Sequence, residues 1–156
     1  GALVSPVEGG TTNWQPSAYS PDTGLVYVQE ANSFNMLYLT DPDPRGSMGL
    51  GGKLRVEVGS AGKFLTAIEP ATGKVAWRRP YANSSGGGIG FLTTAGGLLF
   101  GGDGSGNLIA HDAKDGKPLW HTRAGNISNA PQTYAVDGKQ YLVVATGDML
   151  WAFSLY

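Results

Sequence analysis

Leu65-Thr66-Ala67-Ile68-Glu69-Pro70-Ala71-Thr72-Gly73-Lys74-Val75-Ala76-Trp77 and Leu108-Ile109-Ala110-His111-Asp112-Ala113-Lys114-Asp115-Gly116-Lys117-Pro118-Leu119-Trp120 are two versions of one phrase. Alanine, an acid, Gly-Lys and tryptophan fall at the same offsets, and Trp120 follows Trp77 by 43 residues. A fixed tryptophan recurring at such a period marks an array of repeated structural units.

Each conserved offset has a structural reason. Alanine lets neighbouring backbones approach closely. An acid before a turn accepts backbone N–H bonds across it, as aspartate does and glutamate does less well. Gly73 and Gly116 are expected to supply a positive φ. Trp77 and Trp120 are large apolar groups with one donor, suited to wedging between sheets.

The composition agrees with repeated β structure. Of 156 residues, 41% are hydrophobic and only 15% charged, which excludes a disordered chain and a long-helix protein. The 25 glycines are scattered between short apolar runs, as in an all-β protein with many turns. A net charge of −1 without a basic block gives no electrostatic footprint for nucleic acid or an anionic membrane. No apolar run approaches the roughly 18–20 residues that span a bilayer. The opening Gly1-Ala2-Leu3-Val4-Ser5-Pro6 lacks the pattern of a signal peptide, as a mature or a truncated product also would. With no cysteine, thiolate metal sites and disulfides are excluded.

Working outward from the repeat, Phe91–Thr94, Leu98–Gly102, Asn107–His111 and Pro118–Arg123 read as four short strands with turns between them. This is the content of one propeller blade. Upstream, Ser17–Ser20 and Leu25–Gln29 form a hairpin around Pro21-Asp22-Thr23-Gly24. Asn32–Leu39 fits a strand or a buried loop. Asp41–Gly52 is dense in Pro and Gly and reads as a loop. Lys53–Val58 alternates as a strand, Gly59-Ser60-Ala61-Gly62 reads as a turn, and Phe64–Ile68 and Val75–Arg78 as strands. Downstream, Tyr134–Val136, Gln140–Ala145 and Met149–Leu155 form a third unit, with Ala152 placed 42 residues after Ala110. The expected fold is all-β: a partial β-propeller of about three four-stranded antiparallel blades, formed by residues 1–156. Closed propellers have about 4–8 blades, so the remaining blades, or self-association, are expected to complete the array.

The phrases resemble the tryptophan-docking motifs of the quinoprotein dehydrogenases, eight-bladed propellers that oxidise alcohols or sugars with pyrroloquinoline quinone (PQQ). Gly10–Val28 looks like a segment leading into a late blade of that family. Leu92–Asp103 with Gly106-Asn107 looks like a later one, and Ala130–Tyr134 with Asp137–Tyr141 like the closing region. The match is to the C-terminal part of the family. The resemblance implies that Asn13 and Trp14 lie near the quinone. An amide offers a donor and an acceptor to a carbonyl-rich cofactor, and an indole gives a flat apolar wall. It also directs attention to the loop Asn83–Gly90, whose Gly87 and Gly88 allow a close backbone approach.

The sequence departs from the family in two places. Several members carry a tryptophan in the loop corresponding to Asn83–Gly90, and this chain has none there. Some also have a tryptophan-bearing excursion where Gly147-Asp148 here leads directly into Met149. The family's catalytic aspartate, calcium ligands and cofactor-binding arginine match no segment of this chain, so no catalytic or metal-binding residue is assigned. His111 and His121 lack the spacing of a zinc site. Asp103-Gly104-Ser105-Gly106-Asn107 has oxygen ligands but reads as a hairpin turn rather than a calcium loop.

The resemblance thus implies part of a periplasmic PQQ-dependent dehydrogenase, with calcium supplied from outside this chain and a cytochrome or quinone as electron acceptor. The alternative is a non-enzymatic propeller segment of the same repeat, acting as a protein-binding scaffold.

Overall fold

The computed structural model describes residues 1–7, 9–39, 53–81 and 89–155. They form strands and turns, with no helix among the described residues. Among the described residues, twelve strands make three antiparallel sheets. The chain divides into two compact units. One contains Gly1–Thr11 and Ala31–Gly62, and the other Thr12–Glu30 and Lys63–Tyr156.

The larger unit holds the propeller-like part. Its clearest blade consists of β6 (Leu92–Thr93), β7 (Leu98–Gly102), β8 (Asn107–Asp112) and β9 (Pro118–Arg123), paired in sequence order. The four expected strands are therefore present. The phrase residues act as anticipated: Asp112 Oδ1 accepts the Lys114 N–H at 2.8 Å, and Gly116 has φ 73°. The Asp103 carboxylate is consumed by its own turn, accepting Ser105 N at 2.9 Å, Asn107 N at 2.8 Å and Asn107 Nδ2 at 2.8 Å. The hairpin reading of that stretch holds.

The preceding sheet enters this unit through β2 (Ala18–Ser20), the first part of β3 (Leu25–Leu39), the last part of β4 (Lys53–Ile68) and β5 (Val75–Pro80). Ala18 faces Tyr27 and Ser20 faces Leu25 across the expected hairpin. Alternation buries Leu25, Tyr27 and Gln29 on one face of β3. The turn expected at Gly59–Gly62 is absent. Lys53–Ile68 is one continuous strand beside the similarly long β3, so sheet pairing overrides the local glycine signal. Ser60 adapts to this by donating to Asn32 O at 2.9 Å and accepting the Gly62 N–H at 3.0 Å. The segment Asn32–Leu39, open between strand and loop in the sequence, continues β3. The expected loop Asp41–Gly52 lies outside the described residues.

The third sheet comprises β10 (Gln132–Val136), β11 (Lys139–Thr146) and β12 (Met149–Ser154). It has three strands where four were expected per blade. Asp137 (φ 49°) and Gly138 (φ 76°) form the tight β10–β11 turn, with the positive φ at both positions that a type I′ hairpin needs.

Two apolar cores sit between successive sheets of this unit. Ala18, Leu25, Tyr27, Leu65, Ala67, Ile89, Phe91, Leu99 and Ala113 form the first, with Trp77 and Tyr81 against it. Leu108, Ala124, Ile127 and Val144 form the second, flanked by Leu142, Trp151 and Phe153. Full burial of a leucine such as Leu65, Leu99 or Leu108 contributes roughly 1.5–3 kcal/mol.

Trp77 shows what the repeated tryptophan does. A Cβ placed on Gly116 would lie 2.5 Å from Trp77 Cζ3, so the indole rests directly on the next blade's turn. Trp77 Nε1 donates to Ala113 O at 3.3 Å, and Tyr27 Oη donates to the same carbonyl at 2.8 Å. Arg79 Nε adds a bond to Asp115 O at 2.9 Å. Trp120, at the same offset in the second phrase, stays 44% exposed and meets Phe153 edge-on at 6.0 Å.

In the smaller unit, β1 (Ala2–Val4) pairs with the second part of β3, Ala2 opposite Leu37 and Val4 opposite Asn35. A polar cleft there is lined by Val7, Ser33, Asn35 and Glu57, and holds none of the expected site residues.

Candidate functional site

Each sheet of the larger unit is preceded by a short lead-in: Thr12–Ser17 before β2, Ile89–Phe91 before β6, and Ala130-Pro131 before β10. These three lead-ins touch in series. Phe91 N donates to Pro16 O at 2.9 Å. A Cβ on Gly90 would lie 2.4 Å from Ala130 N, so only glycine allows the second and third lead-ins to meet. The first strands follow suit, Thr93 Oγ1 donating to Tyr19 O at 2.8 Å. The chain thereby brings three segments far apart in sequence into one row.

Both expected residues of the first lead-in lie on this row. Trp14 is 66% exposed, an uncommon state for an indole in a chain that packs Trp77 on a glycine. Asn13 Oδ1 accepts the Trp14 backbone N–H at 2.7 Å, which fixes the peptide that carries the indole. The amide carries both a donor and an acceptor beside the indole. Gly87 and Gly88 lie outside the described residues. Ile89, the next described residue, is buried and belongs to the first apolar core.

Three contributors were missed in the sequence. Gln29, 8% exposed, accepts the Ile89 N–H with Oε1 and the Thr12 hydroxyl, at 2.9 Å, with its main-chain oxygen. Gly90 and Ala130 supply the close approach. The signal for Gln29 was present: it follows Leu25 and Tyr27 on the buried face of one strand, where a polar residue needs partners.

The titratable groups with shifted pKa values lie elsewhere, in packing roles. Burial raises the Tyr81 hydroxyl, which donates to Gly102 O. Burial lowers His111, whose ring Nδ1 meets Gly116 O at 3.1 Å. A carbonyl acceptor places the proton on Nδ1 and leaves Nε2 buried without a partner among the described residues. No cluster of three or more His, Asp or Glu capable of holding a metal ion occurs among the described residues.

Residues 61–155 match the family PQQ_2, described as outer membrane protein assembly factor BamB. The chain belongs to this family. It is 42% identical over 153 residues to a quinoprotein ethanol dehydrogenase of Pseudomonas aeruginosa, covering 92% of this chain and 23% of that protein. It is 36% identical over 165 residues to the quinohemoprotein alcohol dehydrogenase ADH-IIG of Pseudomonas putida, covering 93% of this chain and 22% of that protein. The solved structure of ADH-IIG superimposes with a TM-score of 0.77 at 32% identity, over 95% of this chain and 24% of that one. The expected kinship with the quinoprotein dehydrogenases is borne out, and with it the all-β propeller architecture. The chain spans under a quarter of the length of these two relatives. No helix is long and apolar enough to cross a membrane, among the described residues.

Proposed function

We propose that this chain forms part of the quinone-binding wall of a PQQ-dependent dehydrogenase acting on an alcohol or sugar. The observation that carries the reading is the exposed Trp14 indole, its peptide fixed by Asn13, on the row of lead-in segments. When bound, PQQ supplies a two-electron acceptor. The role of this chain is to bind and orient: Trp14 offers a flat wall that excludes water from one side of the ring, and Asn13 brings an amide beside it. The catalytic base and the calcium ligands come from outside these 156 residues. Periplasmic residence and a cytochrome or quinone acceptor belong to the same proposal. It is tested by calorimetric titration of the chain with PQQ. Saturable binding, weakened about tenfold in Asn13→Ala, is expected, and turnover of alcohols by this chain alone is not. Equal binding in the wild type and Asn13→Ala argues against the assignment.

A second reading, a protein-binding scaffold, is favoured by the description of the matched family. The matched residues 61–155 carry the docking framework and exclude Asn13 and Trp14. A folded chain that does not bind PQQ supports the scaffold.

A further inference from the structure

We propose that Gln29 is a positioning residue that holds Trp14 in place for the quinone by closing a four-cornered frame around it; this rests on the quinone reading above. The frame has two sides, Thr12–Pro16 and Ile89–Phe91. Each side is fixed at both ends. At one corner pair, the Thr12 hydroxyl donates to Gln29 O at 2.9 Å, and the Ile89 N–H is accepted by Gln29 Oε1. At the other, Phe91 N donates to Pro16 O at 2.9 Å. Asn13 and Trp14 project from the middle of the first side. One residue therefore joins both sides at one end, with its main-chain oxygen on one and its side-chain oxygen on the other.

The cost of this choice shows that it is specific. Gln29 occupies the third buried position of a stripe whose other members are Leu25 and Tyr27. An apolar side chain there would satisfy burial but leave the Ile89 N–H without its acceptor. A buried amide in an apolar stripe is retained where both of the segments it joins must keep their spacing. A loose frame would let Trp14 sample many orientations, and preorganisation for a planar ligand would be lost.

The test uses the 156-residue chain, PQQ, and two kinds of variant. Gln29→Met keeps the length and removes the acceptor. It is expected to speed hydrogen exchange of the Ile89 amide at least tenfold and to weaken PQQ about tenfold. In a Trp14→Phe background the same change is expected to alter PQQ affinity less than twofold, an outcome that general loss of structure does not produce. Thr12→Val, a milder change at the other corner, is expected to weaken PQQ about threefold, with Thr12→Ser restoring it. If Gln29→Met does not fold, the Thr12 pair decides. PQQ affinity within twofold of wild type in Gln29→Met or, where that variant does not fold, in Thr12→Val overturns the positioning role while leaving the quinone reading intact. An Ile89 amide in Gln29→Met as protected as in the wild type overturns it too. Absence of PQQ binding to the wild-type chain overturns the quinone reading itself, and the positioning role with it.

Discussion

Trp77 and Trp14 are the same side chain put to opposite uses. Trp77 lies on a bare glycine, its N–H is bonded to Ala113 O, and Tyr27 packs beside it with ring centroids 5.7 Å apart. Trp14 stands 66% exposed on a lead-in whose peptide is tied by Asn13. The first is held by the blade that follows it and is spent on joining two sheets. The second has its backbone fixed and its ring face open to solvent. The repeat that reveals the fold is therefore its framework, and the residue that breaks the pattern of docked indoles is the candidate for chemistry.

The largest expected effect tests the framework side. Gly116→Ala places a methyl against the Trp77 indole at a residue with φ 73°. Overpacking and the left-handed backbone together should cost about 3 kcal/mol in urea unfolding. Gly73→Ala, at φ 70° but with nothing within 4 Å of the added carbon, should cost about 1 kcal/mol. Equal losses at the two glycines contradict the docking account.

Replacing the two indoles sharpens the same contrast. Trp77→Phe removes a hydrogen bond and part of a packed ring and should destabilise by about 2 kcal/mol. Trp14→Phe, at an exposed site, should change stability by less than about 0.5 kcal/mol. A large stability loss in Trp14→Phe shows that its ring is framework after all.

The subtlest effect concerns pH. Burial holds the His111 pKa below its ordinary value near 6.5, and its Nδ1–H shapes the turn on which Trp77 rests. The unfolded chain then binds a proton at a higher pH than the folded one. Stability should be full above about pH 6.5 and decline as pH falls below that value toward the depressed folded pKa. Urea unfolding across this range, compared with His111→Leu, checks the sign. A decline that persists unchanged in His111→Leu assigns the effect to other groups.

Much of this was legible in the sequence because it is local. Four strands of the Leu92–Arg123 blade follow from their turns, and the Asp103 hairpin from its own carboxylate. The departures are tertiary. Gly59–Gly62 has the composition of a turn, yet the neighbouring long strand keeps it extended. Gly73 and Gly116 look alike in sequence, and only the indole of Trp77 separates them. Asn13 and Trp14 were found through resemblance, whereas Gln29, Gly90 and Ala130 emerged only once chain folding placed segments dozens of residues apart in contact.

The central claim is that Trp14, and not the docking tryptophans, faces the quinone. Quenching of tryptophan emission during PQQ titration tests it directly, comparing the wild type, Trp14→Phe and Trp77→Phe. Saturable quenching that is largely lost in Trp14→Phe and retained in folded Trp77→Phe is the predicted result. Quenching that survives in Trp14→Phe at wild-type amplitude and affinity contradicts it.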